Sequence, residues 1–74
     1  MADENGRIMP SAMALGNTLR AARREAGLSQ AQLAELAGVS ERTLRDIERG
    51  RSSVSLAAVL AVANALGLRV EARR

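Results

Sequence analysis

The chain has 74 residues, a formal net charge of +3 at pH 7 and 47% hydrophobic residues, none of them aromatic. That length holds one small domain with a core of Leu, Val, Ile, Ala and Met, marginal enough for burial against a second copy to be expected. With no Cys and no His the chain lacks disulfides, thiolate ligands, the commonest metal ligand and the commonest general base, so no metal site, no cofactor and no enzyme activity are expected.

Residues 1–10 include Asp3, Glu4, Asn5, Gly6, Arg7 and Pro10, show no hydrophobic period, and read as a flexible tail. Beyond them Ser11, Ser29, Ser40 and Ser55 stand where helices start, and Gly27, Gly38, Gly50 and Gly67 where helices stop. This punctuation predicts helices over about 12–26, 30–37, 41–49 and 56–66. Gly16 falls inside the first of these, at a cost of about 1 kcal/mol relative to Ala, so a close helix contact is expected there. The first helix places Leu15, Leu19 and Ala22 on one face, with Arg20, Arg23 and Arg24 as polar partners. In the second, Ser29 and Gln32 have the spacing of a capping box, and Leu33, Ala34 and Ala37 share a face. Gly38 ends it in a left-handed turn, and Val39 can tuck beneath that turn. In the third, Ser40 caps the start and Glu41 faces the helix dipole. Leu44 and Ile47 form a narrow apolar stripe there, leaving Glu41, Arg42, Arg45 and Asp46 on the other side. The fourth helix has only Asn64 as a polar residue and wants cover on more than one side. Leu56, Leu60 and Ala63 are assigned to the core, which would leave Val59, Val62 and Leu66 exposed in a monomer. After Gly67, Leu68-Arg69-Val70-Glu71-Ala72 alternates apolar and polar in the manner of a strand, with no partner strand in the chain. Arg73 and Arg74 close the chain and serve solubility. No apolar run approaches a membrane span and the N-terminus lacks a signal-peptide pattern, so a cytoplasmic protein with no membrane partner is expected.

A short helix with a thin buried edge and a polar, Arg-bearing outer face suits a DNA major groove. The stretch Ser29–Gly50 resembles the helix-turn-helix of the phage-repressor-like (Cro/XRE) family. The likeness rests on Gln30, Leu33, Ala34, Gly38, Val39, Ser40, Thr43, Leu44, Ile47, Glu48 and Gly50, and continues from about Asn17 to Leu68. It implies that the third helix is the recognition helix, with Glu41, Arg42, Arg45 and Asp46 toward bases. Arg42 and Arg45 can donate two hydrogen bonds each to guanine, and Glu41 can accept from a cytosine amino group. Simple surface ion pairing is the other reading of Arg45 and Asp46. Gln30, Ser40 and Thr43 match phosphate-contacting positions. Arg49 and Arg51, flanking Gly50, either contact phosphate or sit in a solvated loop. The family likeness further implies a structural ion pair between Arg23 and Glu48. Arg7 can be read as a minor-groove arm or as part of a disordered tail.

The expected fold is all-α: a compact four-helix repressor-type domain with a helix-turn-helix, plus a short C-terminal β-strand forming an intersubunit sheet. Residues 1–10 are the tail, 11–67 the DNA-binding domain, and 68–74 the dimerisation strand and tail. Two strands would pair antiparallel about a two-fold axis, with Leu68, Val70 and Ala72 covering Val59, Val62 and Leu66, and Arg69 of one copy near Glu71 of the other. The expected function is a homodimeric transcriptional repressor on a palindromic operator in double-stranded DNA. The strand after the fourth helix and the lack of a second domain resemble small HipB-type antitoxins, which bind a kinase-like toxin and repress their own operon. A phage-type repressor, a restriction-modification controller protein and a protein-interaction adaptor without DNA binding are the alternatives.

Overall fold

The structure is a computed structural model that describes residues 10–72. The expectations for Arg7 and the tail up to residue 9, and for Arg73 and Arg74, lie outside the described residues. Four helices follow in order: α1 (Pro10–Glu25), α2 (Gln30–Ala37), α3 (Glu41–Glu48) and α4 (Leu56–Ala65). α1 packs against α3, α2 packs against both α3 and α4, and α4 touches α3 more lightly.

Short-range hydrogen bonds set the helix ends. Ser29 Oγ accepts from the Gln32 backbone N–H at 3.0 Å, while Gln32 Oε1 accepts from the Ser29 N–H at 2.8 Å. Ser40 Oγ accepts from the Thr43 N–H at 3.0 Å, and Ser55 Oγ from the Ala58 N–H at 3.1 Å. At the far end of α2, Gly38 takes φ +72°, and the next N–H, of Val39, reaches back to Ala34 O at 3.0 Å. This left-handed closure satisfies carbonyls that the helix leaves open.

α1 departs from the expected start. It begins at Pro10 rather than after a Ser11 cap. Proline at the first helical position sacrifices no needed N–H and brings a φ already suited to the helix. α3 and α4 end slightly earlier than expected, with Arg49 and Leu66 as their C-caps.

The core consists of Leu19, Leu33, Leu44 and Val62, all fully buried, with Ala34, Ile47, Val59 and Ala63 around them. This corrects the expected orientation of α4. Val59, Val62 and Ala63 face inward, and Leu66 packs at the core's edge. Leu56 and Leu60 are instead 69% and 43% exposed. The helix is apolar nearly all round, so its sequence carries no preferred face; contact with α2 and α3 decides which side is buried.

Among the described residues Leu68–Ala72 forms no β-ladder. A ladder needs a second strand, and the described residues offer none to this segment. Leu68, Arg69 and Val70 together line a shallow depression with Leu60 and Asn64, and Arg69 also pairs with Glu71 of the same chain at 3.9 Å. Among the described residues no helix is long and apolar enough to cross a membrane.

Gly16 is buried where α1 crosses the end of α3. A Cβ at this position would lie 2.4 Å from the carbonyl oxygen of Ile47 and 2.9 Å from that of Glu48. On the facing side, Gly50 has φ +73°, and a Cβ there would lie 2.5 Å from Met13 Cα. Both neighbours are backbone, which cannot swing aside. Gly16→Ala therefore lowers the thermal unfolding temperature by an amount equivalent to about 1–3 kcal/mol, despite the gain of about 1 kcal/mol in helix propensity. An unchanged or raised midpoint by circular dichroism contradicts the close contact.

Candidate nucleic-acid interface

Arg23 on α1 and Glu48 at the end of α3 are 8% and 5% exposed. Arg23 Nε donates to Glu48 Oε2 at 2.7 Å and its Nη2 to Oε1 at 3.2 Å, a two-pronged fork. Arg23 Nη1 donates to the Leu28 carbonyl at 2.9 Å. Gln30 Nε2 completes the group by donating to Glu48 Oε1 at 3.0 Å. Burial alone raises the Glu48 pKa, but the hydrogen bonds from Arg23 and Gln30 and the charges of Arg23 and Arg20 outweigh it. The carboxyl is held below its ordinary value of 4.5. Gln30, matched by family likeness to a phosphate-contacting position, thus also has an internal partner.

With Leu44, Ile47 and Glu48 directed inward, α3 turns Glu41, Arg42 and Arg45 to solvent. Thr43 is half-buried, and its hydroxyl accepts from that of Ser40 at 2.9 Å, so the two residues brace the start of the helix together. Asp46 behaves differently from the other three residues assigned to bases. It is half-buried, and its Oδ1 accepts an ion pair from Arg51 Nε at 3.4 Å. This pair draws an acid away from the outward face and engages Arg51, a residue assigned to phosphate. Arg49 is exposed at the C-cap of α3.

Between α1 and the end of α3 lies a cleft of about 200 Å³, lined by Arg20, Gln30, Arg45, Glu48 and Arg49. In the sequence Arg20 stands out only as a polar residue of the first helix. Its one available signal was the three-residue spacing from Arg23, which puts the two on neighbouring sides of the same helix. The described residues also leave Leu56, Leu60, Leu68 and Val70 partly or largely exposed, on and just after α4.

The chain matches the helix-turn-helix domain family over residues 14–74. It is 48% identical over 60 residues to the immunity repressor protein of Bacillus phage phi105, covering 81% of this chain and 42% of that repressor. The chain therefore spans less than half the length of this phage relative. It is similar to the restriction-modification controller protein C.AhdI from Aeromonas hydrophila, with 36% identity and a TM-score of 0.74 over 82% of this chain and 92% of that one. It also superposes on a chain of a HipA–HipB–O2–O3 complex with a TM-score of 0.78, covering 92% of this chain and 96% of that one; at 20% identity this likeness concerns the fold alone.

Two outcomes follow for the buried pair. Glu48→Ala leaves the Arg23 guanidinium buried without its counter-charge and costs about 3–5 kcal/mol, more than the double replacement Arg23→Met with Glu48→Met. A double-mutant cycle on thermal unfolding measures the difference, and a coupling of zero refutes the interdependence. The pH dependence has a definite sign. Because the folded-state pKa of Glu48 is lowered, its contribution is fully present above pH 4.5 and is lost as pH falls below that value and through the folded-state pKa. The wild-type unfolding temperature falls in that acid window, and Glu48→Gln shows a shallower fall over the same window.

Proposed function

The chain belongs to the helix-turn-helix family of DNA-binding, repressor-type proteins, and on that premise we propose that it is a sequence-specific transcriptional repressor acting as a homodimer on a near-palindromic operator. The observation that carries this reading is the division of α3. Leu44, Ile47 and Glu48 are buried, while Glu41, Arg42 and Arg45 are exposed together. A two-turn helix so divided can enter a major groove without disturbing the core. Arg42 and Arg45 are the residues for guanine edges, and Glu41 for a cytosine amino group. Arg49, Gln30 and the Ser40–Thr43 pair flank that face at the level of the phosphates.

The homodimer reading rests on α4 and the segment that follows it. Leu56, Leu60, Leu68 and Val70 are between 38% and 69% exposed, an apolar surface that a second copy would cover. In this arrangement residues 68–72 of two chains pair antiparallel, with Leu68 and Val70 toward α4 and Arg69 and Glu71 outward. Val59 and Val62 contribute from beneath, as the core on which that surface is mounted. The matches above 30% identity, to a phage repressor and a controller protein, favour regulation through DNA alone. The antitoxin reading draws on fold likeness to the HipA–HipB complex, and a kinase-like toxin partner belongs to that narrower version of the proposal.

Selection from random duplexes is expected to yield inverted half-sites about one helical turn, roughly 10 bp, apart. Arg42→Ala weakens binding by about 1–3 kcal/mol and relaxes the preference at one base position. Equal affinity for all duplexes at physiological salt rejects a specific repressor. In sedimentation, Leu60→Asp and a chain ending at Gly67 are each monomeric and bind the operator more weakly. Dimers of unchanged affinity in both cases place the interface elsewhere.

A further inference from the structure

The α1–α3 cleft gathers Arg20, Arg45 and Arg49 around Gln30 and Glu48. The charge of Glu48 is already matched by the Arg23 fork at 2.7 and 3.2 Å. Among the described residues none of the other three guanidinium groups forms an ion pair, so the cleft carries a surplus of positive charge. Gln30 donates one amide hydrogen to Glu48 and retains a second donor. Planar guanidinium forks and an amide donor at the edge of an open cleft match a tetrahedral phosphate oxyanion. Arg45 also belongs to the outward face of α3, so the cleft borders the surface assigned to base reading.

We propose that this cleft seats one backbone phosphate of bound DNA, and that Arg20 of α1 is the cation closing it from the side opposite Arg49. The inference rests on the DNA-binding reading above and adds α1 to the interface. Arg23 has a preparatory part: by neutralising Glu48 it prevents the carboxylate on the cleft wall from repelling the phosphate. Arg24, one turn further along α1, lines the outer face of the helix but not this cleft. It serves as a control with the same charge on the same helix.

The test compares Arg20→Ala, Arg20→Met and Arg24→Ala with the full-length wild type on the selected operator and on unrelated duplexes, across a range of salt concentrations. Loss of one phosphate contact reduces the slope of log affinity against log salt by about 0.9, which amounts to about fivefold weaker binding at 0.15 M salt. Both Arg20 variants are expected to show that reduction equally on all sequences, with unfolding temperatures near wild type because Arg20 is exposed. Arg24→Ala is expected to leave slope and affinity unchanged. Replacing single operator phosphates by uncharged methylphosphonates is expected to identify one position at which Arg20→Ala has no further effect. An unchanged slope in the Arg20 variants overturns the seat, as does an equal change in Arg24→Ala or a loss confined to one base position. Should Arg20→Ala fail to fold, Arg20→Met and the methylphosphonate scan of the wild type carry the same decision. If the wild type binds no duplex specifically, the repressor reading itself falls and the seat with it; wild-type binding with an unaltered Arg20 slope removes the seat alone.

Discussion

Everything outward on α3 depends on what Glu48 does inward. A helix of eight residues does not hold its own shape in water and takes its orientation from tertiary contacts. Leu44 and Ile47 supply two anchors, and the carboxylate of Glu48 supplies the third through Arg23 and Gln30. A buried ion pair adds little net stability over an apolar replacement, but it constrains direction in a way that Leu and Val contacts do not. Here one guanidinium reaches α1, the Leu28 carbonyl between α1 and α2, and the last turn of α3 together. The rotation of α3 about its axis is set by that junction, and the exposure of Glu41, Arg42 and Arg45 follows from it.

The same crossing explains how a domain without aromatic residues holds together. Leu, Val and Ala side chains bury little area each, so the helices gain by coming close. Gly16 lets α1 rest almost on the carbonyls of Ile47 and Glu48, and Gly50 lets the following turn lie against Met13. The backbone approach at Gly16 and the Arg23–Glu48 fork lie about two turns apart on the same side of α1. One brings the helices together, and the other fixes which side of α3 meets α1.

Charge is distributed unevenly over this frame. The formal surplus of +3 is small, yet two of the acids near α3 are neutralised locally, Glu48 by Arg23 and Asp46 by Arg51. Arg20, Arg42, Arg45 and Arg49 consequently stand exposed along and beside one helix. With Glu41 as the exposed acid among them, a polyanion meeting this side encounters a positive excess equal to that of the whole chain. On α4 and the segment after it the exposed side chains include Leu56, Leu60, Leu68 and Val70, which suits a protein partner rather than a nucleic acid. The two chemistries are carried on different elements of one small body, consistent with a domain that pairs with itself while binding DNA.

The sequence by itself determined the number of helices among the described residues, their approximate ends and the inward residues of α2 and α3, and on α1 Leu15 and Leu19 but not Ala22. These are local matters: a Ser oxygen bonds three residues ahead, a left-handed Gly closes the turn behind it, and Leu44 with Ile47 lies on one helical edge whatever the rest of the chain does. The need for a close contact at Gly16 was legible for the same reason, as a local cost awaiting compensation. Tertiary structure alone decided the face of α4, because a helix apolar on nearly every side is oriented by its neighbours and not by its own pattern. It also decided that Asp46 turns to Arg51 and that Arg20 joins Arg45 and Arg49 at one cleft. Those groupings join residues from different helices or across a turn, and one-dimensional spacing records periodicity along an element, not the angle at which two elements cross.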